Sequence, residues 1–173
     1  ADPIIEFEDS GLESAIRENL ENYEDIIYKS DLLAITFLDA SDKSITSLKG
    51  IEHVSNLAVL DLENNSINDL KPLGSLKKLS ELNLRNNDII CLESINFKYV
   101  LSSPIRVLNL RHNVLKAEDE SEVRLSDIDM LKNLRNLEQL YLRDNHIEDI
   151  SSLSYLGSLR ILDLRENKIN DIE

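Results

Sequence analysis

Asparagine returns at the end of one repeated phrase, L-x-x-L-x-L-x-x-N, and that repetition restricts the fold more than any other property of the chain. The marks are Leu57, Leu60, Leu62 and Asn65; Leu79, Leu82, Leu84 and Asn87; Ile105, Leu108, Leu110 and Asn113; Leu137, Leu140, Leu142 and Asn145; and Leu159, Leu162, Leu164 and Asn167. Successive asparagines stand 22, 26, 32 and 22 residues apart. A sixth phrase, Ile35, Leu38, Ala40 and Lys43, lies 22 residues ahead of the first, with Lys43 in the asparagine's place as suits a terminal unit. A unit this short cannot bury its own apolar face, so the units must stack into a solenoid with one continuous core.

Within L-x-L, strand alternation turns the leucines inward and the intervening residues to an outer surface. Between phrases the apolar beat falls every third residue, as in Ile147, Ile150, Leu153, Leu156 and Leu159. That beat suits 3₁₀ or extended backbone better than an α-helix, whose faces recur about every 3.6 residues. The phrase resembles the leucine-rich repeat. The resemblance implies an α/β solenoid: a horseshoe of about six repeats, with short parallel strands on its concave face and a thin 3₁₀ or extended convex side. The asparagine amide offers donors and an acceptor to backbone where the chain turns inward, so the five amides are expected to form a ladder.

Two repeats are lengthened. The first extra segment, 96–104, adds four residues, and its Phe97, Val100 and Leu101 predict a turn or more of helix. The second, 116–127, adds ten and carries Glu118, Asp119, Glu120 and Glu122. It reads as an exposed acidic loop at a strand edge, either inert or, since loops leaving a rigid scaffold often carry function, a contact element. Gly74 and Gly157 both precede Ser-Leu and are expected to mark equivalent turns.

At 173 residues the chain is long enough for one domain with a continuous core, and with no tryptophan and 5% aromatics that core is aliphatic. A net charge of −14 argues against nucleic acid, which needs a basic footprint, and against anionic lipid. No apolar run reaches the length of a membrane span. Cys91 has no partner for a disulfide; beside Leu92 on the apolar beat, it is expected to be a small buried hydrophobe. His53, His112 and His146 fall in different repeats at unrelated phases, which offers neither a metal cluster nor a catalytic triad. The glycines are isolated, the acidic insertion lacks a calcium-loop spacing, and Asn64-Asn65-Ser66 matches a glycosylation acceptor by chance. Neither enzymatic activity nor a cofactor is expected. The start at Ala1-Asp2-Pro3, without methionine, suggests a removed signal peptide or residues foreign to the natural chain. The array stops on its apolar beat, so it is expected to be truncated, or covered by a neighbour over Leu164, Ile169 and Ile172.

Ahead of the repeats, residues 4–34 read as a helical cap on the array of 35–173. Ser10 is the expected N-cap of a helix whose Leu12, Ala15, Ile16 and Leu20 make one apolar face, with Glu13 as its capping-box partner. Asp31 is expected to cap a second short turn. This segment resembles the N-terminal cap of the internalin-like leucine-rich-repeat proteins of Gram-positive bacteria. The likeness is carried by Leu12-Glu13, Ala15-Ile16-Arg17, Leu20, Asp31-Leu32, Ile35-Thr36, Leu38-Asp39-Ala40, Ile45, Leu48 and Gly50-Ile51-Glu52, and by the phrase Asn65, Ile67, Leu70, Pro72-Leu73. It extends from about residue 5 over nearly the whole chain. The two lengthened repeats, and the lack of the C-terminal immunoglobulin-like cap such proteins often carry, depart from that pattern.

Three columns of side chains are expected to line the concave face. The first holds Phe37, Val59, Glu81, Val107, Gln139 and Ile161; the second, Asp39, Asp61, Asn83, Asn109, Tyr141 and Asp163; the third, Ser41, Glu63, Arg85, Arg111, Arg143 and Arg165. Four arginines thus stack on strands about 4.8 Å apart, which is unfavourable unless acids such as Glu63, Glu81, Asp144, Asp163 and Glu166 offset them. The column is either a self-neutralised, solvated ladder or a cationic stripe that takes carboxylates from an acidic protein partner, with Tyr141 supplying an aromatic contact. On the second reading the contact residues are Arg85, Arg111, Arg143, Arg165 and Tyr141, with Asp61, Asn109 and Ile161 secondary. The resemblance implies a non-enzymatic protein-binding module, extracellular or displayed at a bacterial surface. The alternatives are a cytoplasmic regulatory subunit that positions an enzyme, and a structural spacer for a further domain. Oligomeric state is not set by the pattern.

Overall fold

The computed structural model describes residues 2–22 and 25–170. Among the described residues there are eight strands of three residues: β1 (Phe37–Asp39), β2 (Val59–Asp61), β3 (Glu81–Asn83), β4 (Val107–Asn109), β5 (Val114–Lys116), β6 (Glu122–Arg124), β7 (Gln139–Tyr141) and β8 (Ile161–Asp163). Six of them form one parallel sheet in the order β1-β2-β3-β4-β7-β8. Leu38, Leu60, Leu82, Leu108, Leu140 and Leu162 stand opposite one another across it. All of them except Leu162 are buried, and a leucine taken out of water contributes roughly 1.5–3 kcal/mol. The chain is a leucine-rich-repeat horseshoe.

The register holds across both long intervals, so the extra residues are accommodated outside the sheet. Residues 96–104 form a 3₁₀ segment, Phe97–Ser102, rather than α-helix, and drive Phe97 and Val100 into the core. The second insertion is not an irregular loop: β5 and β6 pair antiparallel as a small exposed hairpin. Elsewhere the strands are linked by short 3₁₀ segments, as the three-residue beat requires. Three begin with an Asx turn, in which Asp69, Asp127 and Asp149 accept from the backbone N–H two residues on, at 2.8, 2.9 and 2.8 Å. Cys91 is half-buried rather than buried, although its neighbour Leu92 is in the core. Gly74 and Gly157 are not equivalent. Gly74 lies inside the 3₁₀ segment Lys71–Ser75, where a Cβ would stand 3.0 Å from the Tyr99 ring, whereas Gly157 lies past its segment in open space.

The asparagine ladder binds backbone. Asn65 Nδ2 donates to Ala40 and Leu62 carbonyls at 2.9 and 3.0 Å, while its Oδ1 accepts from Lys43 and Ile45 N–H. Asn87, Asn113 and Asn167 likewise accept from Ile67, Ile89 and Ile147 of the preceding turn. Each amide therefore joins its own repeat to the one before and satisfies turn groups that burial would leave unpaired. Asn145 accepts from the Asn113 N–H, as Asn65 does from Lys43, but among the described residues it has no bond from the residue two further on, because Leu115 is drawn into the hairpin.

The cap helix α1 spans Ser10–Leu20, and its N-cap is Asp9, not Ser10. Asp9 Oδ1 accepts from Gly11 and Leu12 N–H at 2.9 and 3.1 Å, and Oδ2 accepts from Thr46 and Ser47 N–H at 2.9 and 3.2 Å. One carboxylate thus caps the helix and ties it to the first repeat. Glu13 pairs with Arg17 instead of closing a capping box. Asp31 does not cap the segment Asp31–Ala34; it begins it and accepts from the Tyr28 N–H. The contact with the array is close enough that a Cβ on Gly11 would meet the Lys43 carbonyl at 2.2 Å. At the other end Leu162 is exposed and Leu164 and Ile169 are half-buried, while Ile172 lies outside the described residues.

Candidate functional site

The second concave column shapes the backbone that carries the third. Asp39, Asp61, Asn83, Asn109 and Asp163 each accept through Oδ1 from the N–H two residues on, at 3.0, 2.9, 3.1, 3.1 and 3.3 Å. These Asx turns direct the chain out of each strand, so Asp61 and Asn109, singled out as secondary contacts, also hold the turn. Tyr141 is the exception in the column. Its hydroxyl donates to Gln139 Oε1 at 2.9 Å, and its ring lies 4.3 Å from the guanidinium carbon of Arg111.

The structure places all four arginines of the third column on one rim, and each meets a carboxylate. Arg85 pairs with Glu63 at 3.1 Å and Arg143 with Glu166 at 2.6 Å. Arg165 grips Asp163 with Nε and Nη2 at 2.8 and 2.9 Å. Arg111 passes over Tyr141 and reaches the same Asp163 at 3.2 Å, so that it spans three neighbouring strands. Asp163 is buried, yet its carboxyl is held far below the usual carboxylate range, chiefly by Arg165 and further by Arg111. Of the acids expected to offset the column, Glu63, Asp163 and Glu166 do so; Asp144 and Glu81 do not.

Asp144 belongs to a separate row. Asp42, Asn64, Asn86, His112, Asp144 and Glu166 all have positive φ, 50 to 59°, and sit just before the asparagine position. Asn64 donates to Asp42 at 2.8 Å and Asn86 to Asn64 at 2.7 Å. The row then changes chemistry, with Asp144 bonded to His112 Nδ1 and to Arg124 of the hairpin, which also holds Glu122 at 2.7 Å. This fastening of the hairpin was not anticipated; its signal was Arg124, a cation that ends an acidic stretch. A shallow groove of about 620 Å³ follows the rim, lined by the four arginines with His112, Asp144 and Glu166. Phe37 and Ile161 lie exposed at opposite ends of the first column. A second groove, about 910 Å³, lies between the segments that follow β1, β2 and β3, walled by Tyr99, Pro72 and Lys71. Nothing in the repeat pattern pointed to it. No helix among the described residues is long and apolar enough to cross a membrane.

A parallel sheet of three-residue strands, 3₁₀ linkers and an asparagine ladder define a leucine-rich-repeat protein. A family model described as Leucine Rich repeats (2 copies) matches residues 135–173. Internalin C2 of Listeria monocytogenes is 31% identical, with a TM-score of 0.82, and the match covers 95% of this chain and 68% of that one. The chain belongs to the internalin-like leucine-rich-repeat family. A second internalin of Listeria monocytogenes, InlF, is 28% identical with a TM-score of 0.55, over 96% of this chain and 58% of that one. The functional domain of InlJ from the same organism shares the fold at 21% identity and a TM-score of 0.56, over 96% of this chain and 43% of that one. No match was found among curated protein sequences.

Proposed function

We propose that this chain is a non-enzymatic module of a bacterial surface or secreted protein, and that it holds a protein partner along its concave face. An internalin-like repeat fold is that of a protein-interaction module, and the observation that carries the rest is the rim itself. Guanidiniums are oriented by carboxylates on a rigid sheet, with an aromatic ring among them, which is the composition interface centres favour. Arg85, Arg111, Arg143, Arg165 and Tyr141 make the main contacts, and Asp61, Asn109 and Ile161 flank them. The cap and the array, which meet at about residue 34, act together as the support for that face. Capture of partners from host-cell surface extracts by this chain, and by a version with all four arginines changed to alanine, tests the reading. Partners retained by the first, lost by the second and sensitive to salt are the expected result. Identical capture by both favours a second reading, a structural spacer with a self-neutralised ladder, which the internal pairing of the four rim arginines supports.

A further inference from the structure

Charge on the rim is nearly but not fully matched. Among the described residues, the four guanidiniums share three carboxylates: Glu63 serves Arg85, Glu166 serves Arg143, and Asp163 alone serves both Arg111 and Arg165. Asp144, which lines the same groove, is taken by His112 and Arg124. In direct ion pairs, the guanidinium without a carboxylate of its own therefore falls in the Arg111–Asp163–Arg165 triad. Arg165 holds Asp163 with two hydrogen bonds, whereas Arg111 contributes one longer one. Arg111 also keeps its Nε buried without any hydrogen-bond partner among the described residues. A buried charged donor left unpaired is costly and calls for a reason.

We propose that Arg111 and Tyr141 form a socket for one carboxylate of an acidic peptide segment, followed by an apolar side chain. This rests on the concave-face reading above and names its partner chemistry. Arg111 moves from Asp163 to the incoming carboxylate, which it takes in its bidentate fork, and its Nε gains the partner it lacks. Asp163 stays neutralised by Arg165. The Tyr141 ring, no longer covered by the guanidinium, accepts the apolar side chain next to the bound acid, and Ile161 and Val107 on the neighbouring strands extend that surface.

The test uses a short blocked peptide alternating glutamate with isoleucine, and its glutamine counterpart, with binding read by arginine Nε–H and tyrosine ring resonances. The glutamate peptide shifts the Arg111 Nε–H and Tyr141 ring signals, and the glutamine peptide does not. R111A leaves Arg165 and Asp163 as a neutral pair and weakens binding at least about tenfold, the scale of an interface hot spot. R106A, which breaks the matched Arg106–Glu138 pair away from the rim, changes affinity far less. D163N keeps the Asx turn, as Asn83 and Asn109 show in the same column, and strengthens binding several-fold by removing the internal competitor. Equal losses for R106A and R111A, or shifts that spare Arg111, overturn the socket. So does failure of the peptide to bind. These outcomes leave the broader reading standing, because that reading falls only if whole-partner capture is indifferent to the four-arginine change.

Discussion

The two insertions enter the same scaffold and are resolved in opposite ways. Residues 96–104 bring Phe97 and Val100 at three-residue spacing, and both vanish into the core as a longer 3₁₀ segment. Residues 116–127 bring five acids, four of them between Glu118 and Glu122, which cannot be desolvated without partners, so the backbone there leaves the core and pairs with itself before Leu125 returns to it. Leu115 and Val123, opposite one another in the hairpin, stay 38% and 46% exposed. Sheet register is indifferent to both, since the strands on either side are set by their own leucines. An insertion thus joins the core or forms an appendage according to its side chains, not its length.

The largest effect expected from this contrast is at Phe97. F97A opens a cavity in a site with no exposure, and should cost about 3–5 kcal/mol in urea unfolding followed by circular dichroism. A loss under about 1 kcal/mol would mean that the first insertion is as peripheral as the second.

Next comes the ladder at the point where the hairpin departs. Asn113 donates to the Leu84 and Leu110 carbonyls at 3.1 and 2.8 Å and accepts from the Ile89 N–H, all within the core. N113A leaves those groups unpaired and should cost about 1–3 kcal/mol. N64A, in the exposed outer row, should cost well under that amount. Equal losses would show that the two rows support the fold alike.

The hairpin's attachment is weaker still. Burial pushes the Asp144 carboxyl up, but the bond to His112 and the charge of Arg124 outweigh it, so its pKa lies below the ordinary value. A carboxyl depressed in the folded state adds stability that is present above its unfolded pKa of about 3.9 and is lost as pH falls through its lower folded pKa. Both partners are partly exposed, so the contribution is at most about 1 kcal/mol. Amide exchange at Leu115 and Val123 should therefore accelerate below about pH 4 in the native chain, beyond the intrinsic pH dependence. D144N should show that faster exchange already at neutral pH. Asp9 and Asp163 are also held below the ordinary carboxylate value, so the difference between the two proteins, not the acid transition itself, isolates Asp144. No difference would mean that the hairpin is held by its own pairing.

Much of this was legible in the sequence, and the limits are physical. Strand positions, register and the inward leucines follow from a period-two alternation inside a repeat of fixed length. The asparagine ladder follows from the chemistry of a buried amide. The N-cap slipped by one residue because Asp9 and Ser10 are both good caps; only the Thr46 and Ser47 amides, brought up by the fold, decide between them. Stacking of the four arginines could be read from the repeat, but not the reach of Arg111 over a whole strand to Asp163, since side-chain reach across strands leaves no periodic trace. The hairpin lacked a signal of its own: its strands are three residues long and carry no Asn-Gly turn.

The smallest effect belongs to the hairpin tip. Ala117 N–H donates to the Ser121 carbonyl at 2.9 Å, and Asp119 accepts from the Ser121 N–H, so the tip is closed by its own atoms. Changing Glu118 and Glu120 to serine touches no contact with the array and should move stability by less than about 0.5 kcal/mol. Loss of a captured partner at unchanged stability would make the hairpin a contact element beside the rim, to which Arg124 and Asp144 already fasten it. Unchanged capture would make it an inert consequence of chemistry: a segment too acidic for the core, folded back on itself because its backbone had nowhere else to pair.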